Sequence, residues 1–494
     1  MKRYKILFLS SEISPFTKES TLADFSYRLP LILKDLGHEV RVMMPKYKII
    51  NERKYVLREV IRLKDIGIPV GDEVKIINVK SAFIPNSKVQ IYFIDYKPYF
   101  NRDGLYFDER RKKEYTDNDG RFILFSRGVL ETLKLLFWQP DIIHCNDWQT
   151  GLVPLYIKTI YKEDRFFKKT STVFTIHNIN EAGCFEKGAE KKTGLADNKN
   201  YNEKYTEFNG KFSFLKAGIT SSDYLSISSE NYIKKPQNIS ELPIGLIEVL
   251  KKRKDRLFGI LRGVDYLVWN PEIDKAINTW YNFKTISNKN ENKKFLLRKV
   301  KLPFKSDVPL IGWVYSKTDS EIFKVLENIT KELNDLKTQI VIVGKIEKKL
   351  LSRLTKYKNL YPENFSFYSS DNEKLMHVII GGCDVILLPF IYYPSEINPL
   401  NCLKYGTVPI VRNIGEFSDI IIEFNSQNNS GNGLLIKEYS STEILMQFKN
   451  VIKLFNREKT WRIIQKNGMK EEFLWKNTAK KFLKIYSSAL RNQK

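Results

Sequence analysis

Residues 4–47, YKILFLSSEISPFTKESTLADFSYRLPLILKDLGHEVRVMMPKY, decide the fold. The apolar run at 6–9 is short and ends at Ser10-Ser11-Glu12, as a buried strand does. From Leu22 to Leu36 apolar residues recur at roughly helical spacing, and Gly37 stands where a helix C-terminus takes glycine. A second apolar run at 40–44 completes a strand-turn-helix-strand unit. Residues 91–94, 141–144 and 172–176 read as further strands, and strands alternating with helices argue a parallel α/β sheet.

The pattern restarts at Pro309-Leu310-Ile311-Gly312-Trp313-Val314 and continues at 339–343, 385–388 and 408–411, which describes a second α/β unit. The Asn- and Lys-rich stretch 282–292 just before it reads as a surface linker. At 494 residues the chain exceeds one ordinary core, and two domains of roughly 200–250 residues each are expected. With 42% hydrophobic and 13% aromatic residues both can be well packed. No internal repeat or long low-complexity tail is visible.

No apolar run approaches the roughly 20 residues of a membrane span. Met1-Lys2-Arg3 followed by 6–9 has the outline of a secretory leader, but the run stops after four apolar residues without a small-residue cleavage site, so it reads as a strand. Cys145, Cys184, Cys383 and Cys402 are far apart and show neither metal-ligand nor redox-pair spacing, which suits a reducing compartment and a cytoplasmic protein. The excess of 82 basic over 57 acidic residues gives a formal charge of +25, enough to attract a polyanion through its long-range field. The lysines are scattered along the whole length, with local clusters at 251–254 and 168–169 and no nucleic-acid module beside them. A solvated lysine-rich surface is the expectation, and nucleic-acid binding rests on charge alone.

Five further blocks follow residues 4–47 in order: DIIHCNDWQTGLVPLYIK at 141–158, TVFTIHNINEAGCF at 172–185, NGKFSFLKAGITSSDYLSISS at 209–229, GILRGVDYLVWNP at 259–271, and CDVILLPF through YGTVPIVRNIGEFSDII at 383–421. All resemble the bacterial glycogen synthases and plant starch synthases, glucosyltransferases that use ADP-glucose, over nearly the whole chain. The resemblance implies the GT-B architecture, two facing Rossmann-like domains with parallel sheets. It places an N-terminal domain at 1–260, a nucleotide-sugar-binding-like domain at 261–470 and a C-terminal helix at 471–494 returning to the first domain. It also implies transfer to an α-1,4-glucan without metal or other cofactor, with diphosphate charge met by a glycine-rich loop, a helix N-terminus and basic side chains.

Against that family the donor-side residues depart. Its first loop reads KTGGLAD, where this chain has Lys18-Glu19-Ser20-Thr21-Leu22-Ala23-Asp24. Lys18 and Asp24 remain, both glycines are lost with their freedom at positive φ, and Glu19 adds a negative charge; Ser20 and Thr21 also suit a helix cap. The phosphate clamp SRLTDQKG aligns so that Ser316 takes the Arg position and Glu321 the Lys position, with Lys317 one place away. Tyr393 replaces the Glu of EPCGL, Glu396 falls on its Gly between the stiffening Pro394 and Pro399, and Arg262 replaces the Asn before GID.

Retained residues cluster on the first domain. His177-Asn178 matches the family's HN, where the His contacts donor glucose, and Asp147-Trp148 matches its DW. His177 is open to two readings, a sugar contact or a satisfied residue at a strand end. Asp147 suits the cap of a helix beginning near Thr150, and Trp148 either a sugar platform or the core. With Tyr156, these residues are the glucan-contact candidates. The pattern implies a family member with little or no catalysis and a glucan-binding role that uses ADP-glucose weakly; the alternative is an active transferase with a rearranged donor site.

Overall fold

The structure, a computed structural model, describes residues 2–108, 110–234, 243–315, 322–332, 335–370, 372–390 and 398–491. Two compact units divide the chain: Met1–Arg262 together with Trp475–Lys494, and Gly263–Leu474.

The first unit is built on a ten-stranded sheet. Its parallel part runs, across the sheet, Leu257–Gly259, Tyr224–Ile227, Ser171–Ile176, Ile142–Asn146, Lys5–Leu9, Glu39–Pro45 and Gln90–Asp95. The long strand Glu73–Phe83 adds antiparallel to the last of these and carries Ile66–Val70 and Arg58–Glu59. Ile6, Phe8, Ile142, Ile143, Val173 and Phe174 are fully buried, as expected of strands covered by helices on both faces. The predicted helix spans Thr21–Asp35, with Ser20 as its N-cap and Leu36 as its C-cap; Gly37 follows at φ +92.

In the second unit a six-stranded all-parallel sheet has the order Phe365–Ser369, Gln339–Gly344, Leu310–Val314, Val385–Leu388, Val408–Arg412, Leu434–Ile436. In chain order this is 3-2-1-4-5-6, the doubly wound arrangement in which strand order reverses between the first and fourth strands. The first unit reverses in the same way between Lys5–Leu9 and Ile142–Asn146. In such sheets ligands bind beyond the carboxyl ends of the strands at the reversal.

Two expectations need correction. Residues 282–292 are not a linker: a short turn at Ile286–Asn288 leads into the helix Lys289–Val300, where Lys289, Asn292 and Lys293 are buried. Their polar ends are satisfied inside the protein. Lys289 Nζ donates to the Ile380 carbonyl (3.0 Å), the Gly381 carbonyl (2.8 Å) and Thr407 Oγ1 (2.6 Å), and Lys293 Nζ donates to the Val308 carbonyl and pairs with Asp384 at 2.6 Å. The C-terminal helix starts at Trp475 rather than at 471. Glu471 caps the preceding helix Glu458–Lys470, and Leu474 forms a parallel bridge with Val264, the Phe473 carbonyl accepting from Val264 N and the Phe473 N–H donating to Tyr266 Oη.

Trp475–Arg491 belongs to the first unit, packing Trp475 and Phe482 against Phe25 with ring centroids 5.8 and 5.7 Å apart. Tyr486 Oη lies 2.8 Å from Nδ1 of buried His144, whose Nε2 is 2.6 Å from Thr175 Oγ1; burial pulls the imidazole down to about 3.

Candidate sugar-nucleotide site at the strand ends

Three adjacent parallel strands of the first unit, Lys5–Leu9, Ile142–Asn146 and Ser171–Ile176, deliver polar residues just beyond their carboxyl ends. Asn146 Nδ2 donates to the Leu9 carbonyl (2.8 Å), tying two of these ends together. Its Oδ1 lies 2.9 Å from His177 Nε2. With the amide so oriented, Nε2 carries the imidazole proton and Nδ1 presents the lone pair. Burial first, then Arg262 and His144, holds His177 well below its usual value, so the ring is neutral. The Phe25 ring meets it edge-on at 4.5 Å.

Asp147 does not cap the helix expected of it. Its backbone takes φ +54 and ψ −179, a region that L-residues rarely adopt. The conformation is held by Asp147 N donating to the Thr175 carbonyl (3.0 Å) and the Asp147 carbonyl accepting from Thr150 N (3.1 Å). The carboxylate turns instead to the neighbouring strand end, where Oδ1 accepts from His177 N (2.7 Å) and more distantly from Asn178 N (3.4 Å). Burial pushes Asp147 up to about 8, against the pull of those two amides. Asn178 is engaged locally, donating through Nδ2 to Glu181 Oε1 and accepting from Asn180 N.

Sequence reasoning overlooked Glu12, and its signal was a carboxylate directly after a buried strand. Glu12 is itself buried. Oε2 accepts from both Ser20 N (2.9 Å) and Ser20 Oγ (3.0 Å), while Oε1 lies 3.0 Å from Tyr106 Oη, which also reaches Ser11 Oγ at 2.7 Å. Burial raises Glu12 to about 7, with the Tyr106 and Ser20 hydrogen bonds opposing the shift. Ser20 Oγ in turn accepts from Leu22 N (3.2 Å) as the helix cap. Lys18 precedes that cap in the loop, and Asp24 sits in the helix's first turn.

Trp148 and Tyr156 offer no platform for a sugar. Trp148 is 7% exposed, with Phe122 edge-on at 4.9 Å and Phe185, Tyr106 and Phe214 around it. Gly183, at φ +52, lies so close to the indole that a Cβ there would come within 2.6 Å of it. Tyr156 is buried and hydrogen bonds through Oη to the Thr193 carbonyl. Ser316, Glu321, Tyr393 and Glu396 lie outside the described residues. The strands before them, Leu310–Val314 and Val385–Leu388, are neighbours at the reversal of the second sheet.

The geometry so far is a neutral histidine whose Nδ1 presents a lone pair, a strained aspartate holding its backbone, and a helix N-cap residue bonded to an internal carboxylate. Residues 5–252 match the starch synthase catalytic domain family and residues 314–470 the glycosyl transferases group 1 family. A glycogen synthase from Chlorobaculum parvum is 33% identical over 489 residues, covering 99% of both chains. One from Thermosipho africanus is 34% identical over 495 residues, covering 99% of this chain and 100% of that one. Among solved structures, the catalytic domain of starch synthase IV from Arabidopsis thaliana, bound to ADP and acarbose, superposes with a TM-score of 0.82 at 21% identity, covering 99% of this chain and 100% of that one, which gives the GT-B fold. Collinear motifs, two doubly wound sheets and identity along the full length converge: the chain belongs to the glycogen synthase and starch synthase family of glucosyltransferases.

Proposed function

We propose that this family member binds α-1,4-glucan and has lost most or all of its capacity to transfer glucose from ADP-glucose. The observation that carries the reading is the pair of bonds from Ser20 to Glu12 Oε2. A nucleotide diphosphate needs unoccupied N–H donors at a helix N-terminus, and here the Ser20 N–H points at a carboxylate of its own chain. Glu19 adds a second negative charge beside it and itself raises Glu12. The replacements at Ser316 and Glu321 support the same reading, since a clamp without its cations leaves the leaving diphosphate unneutralised, and Tyr393 and Arg262 stand where the family has a Glu and an Asn. Loss of one transition-state donor typically costs roughly 100- to 1,000-fold in rate.

The neutral His177 ring, fixed by Asn146 and by Asp147 at its backbone, supports retained recognition of glucan without retained chemistry. Cys145, Cys184, Cys383 and Cys402 are unbridged, in keeping with a cytoplasmic setting. No helix among the described residues is long and apolar enough to cross a membrane.

Incorporation of labelled glucose from ADP-glucose into glycogen by the purified protein is expected to stay at background, and calorimetry to give millimolar affinity for ADP-glucose or none. Turnover at the rate of an active glycogen synthase, or micromolar binding, would establish instead the active transferase with a rearranged donor site.

A further inference from the structure

Seven tryptophans occur in the chain, and six of them, Trp138, Trp148, Trp269, Trp313, Trp461 and Trp475, are at most 8% exposed. Trp280 is 57% exposed. Its ring is nonetheless fixed: Nε1 donates to the Asp274 carbonyl (2.7 Å), and the Tyr281 N–H next to it donates to the Pro271 carbonyl (3.0 Å), closing the loop on itself. Asp274 is anchored below in turn. Its Oδ2 accepts from Tyr405 Oη (2.6 Å) and lies 2.8 Å from His377 Nδ1, and the His377 ring stacks on Trp269 with centroids 3.8 Å apart. The loop therefore holds an indole open to solvent on a rigid, buried base.

We infer that Trp280 is a surface contact for α-glucan, remote in sequence from the strand-end residues and resting on the glucan reading above. An aromatic face complements the C–H face of a pyranose ring, and a ring already fixed by its own hydrogen bond loses little freedom on binding. Ile273, next in sequence to the Asp274 whose carbonyl fixes the indole, is 47% exposed and adds apolar surface to the same loop. The exposed Asn278, on the same loop, donates through Nδ2 to Thr279 Oγ1 (3.0 Å) and so presents its amide oxygen to sugar hydroxyls. This is the mixture of flat apolar area and neutral hydrogen-bonding groups that a neutral polyhydroxylated chain requires, and it gives an exposed aromatic to replace the enclosed Trp148 and Tyr156.

Maltoheptaose titrated into the full-length protein should quench and blue-shift its red-edge emission, because the solvent-exposed indole is Trp280. Glycogen co-sedimentation should weaken roughly tenfold in Trp280→Ala. Trp280→Phe should keep most of the co-sedimentation while losing the emission change, and it serves as the test should the alanine variant fail to fold. Wild-type glycogen binding that Trp280→Ala leaves unchanged overturns the assignment to Trp280 and spares the glucan reading. A wild type that binds neither glycogen nor maltoheptaose overturns both. A substitution that alters only the sedimentation coefficient of the protein alone makes the loop a self-association surface and also overturns the assignment.

Discussion

Glu12 and Asp147 end adjacent strands and are both driven toward their neutral forms by burial, to about 7 and about 8. For Glu12 the folded value lies above the ordinary one near 4.5, so the folded state keeps a proton that the unfolded chain releases. The stability tied to that proton is complete below about pH 4.5 and is lost as pH rises to about 7, at roughly 1.4 kcal/mol per pKa unit. Glu12→Gln keeps an acceptor for Ser20 and cannot ionise. Denaturant unfolding at pH 5 and pH 8 is expected to find the variant gaining on wild type at the higher pH; equal pH dependence of the two proteins would show Glu12 titrating as an ordinary carboxylate. At this scale the sequence was legible in placement: Asp147 and His177 stand directly after buried strands, as their apolar runs indicate. It was not legible where the role depends on what covers the side chain. Trp148 has the composition of a sugar platform, and only the approach of Gly183 and Phe122 reveals that it is enclosed. Glu12 stood in the first block only as the end of a strand, and its partners Ser20 and Tyr106 are 8 and 94 residues away.

Among the elements, strand positions followed from short β-branched runs, and the helix Thr21–Asp35 from apolar spacing ended by Gly37. The start of the helix Lys289–Val300 escaped because the residues it buries there, Lys289, Asn292 and Lys293, are polar. Three carbonyl or hydroxyl partners within 3.0 Å of Lys289 Nζ make an ammonium tolerable where an apolar side chain is the rule, although burial still lowers it to about 8. Composition alone reads such a stretch as solvated, since the partners come from residues 380, 381 and 407. Lys289→Ala leaves the Gly381 carbonyl without this donor, the Ile380 carbonyl keeping Thr407 Oγ1, and is expected to destabilise the second unit by about 2–4 kcal/mol. The check is a lower urea midpoint with unchanged slope; a shift under about 0.5 kcal/mol, the size of an ordinary surface substitution, would mean that water replaces the ammonium at no cost.

Taken as a whole molecule, the first unit is discontinuous, made of Met1–Arg262 and the returning segment Trp475–Lys494. Trp475, Phe482 and Tyr486 are buried in it, and Ser171 Oγ donates to the Ala489 carbonyl at 3.1 Å. Deletion of residues 475–494 strips that apolar cover from the helix Thr21–Asp35 and leaves His144 without Tyr486. The deleted protein is expected to lose the cooperative unfolding transition of the first unit while keeping that of the second, as read by calorimetry; two intact transitions would show the segment to be dispensable. The same discontinuity sets an order of events on the ribosome. Synthesis proceeds from the N-terminus at roughly 5–20 residues per second, so the nascent first unit waits through all of Gly263–Leu474, on the order of 10–40 s, before its last helix emerges. For that interval the apolar surface destined for Trp475 and Phe482 has no cover from its own chain. A ribosome that stalls late in the message thus releases a product whose earliest-made half is the unfinished one, which marks it for chaperones and proteases.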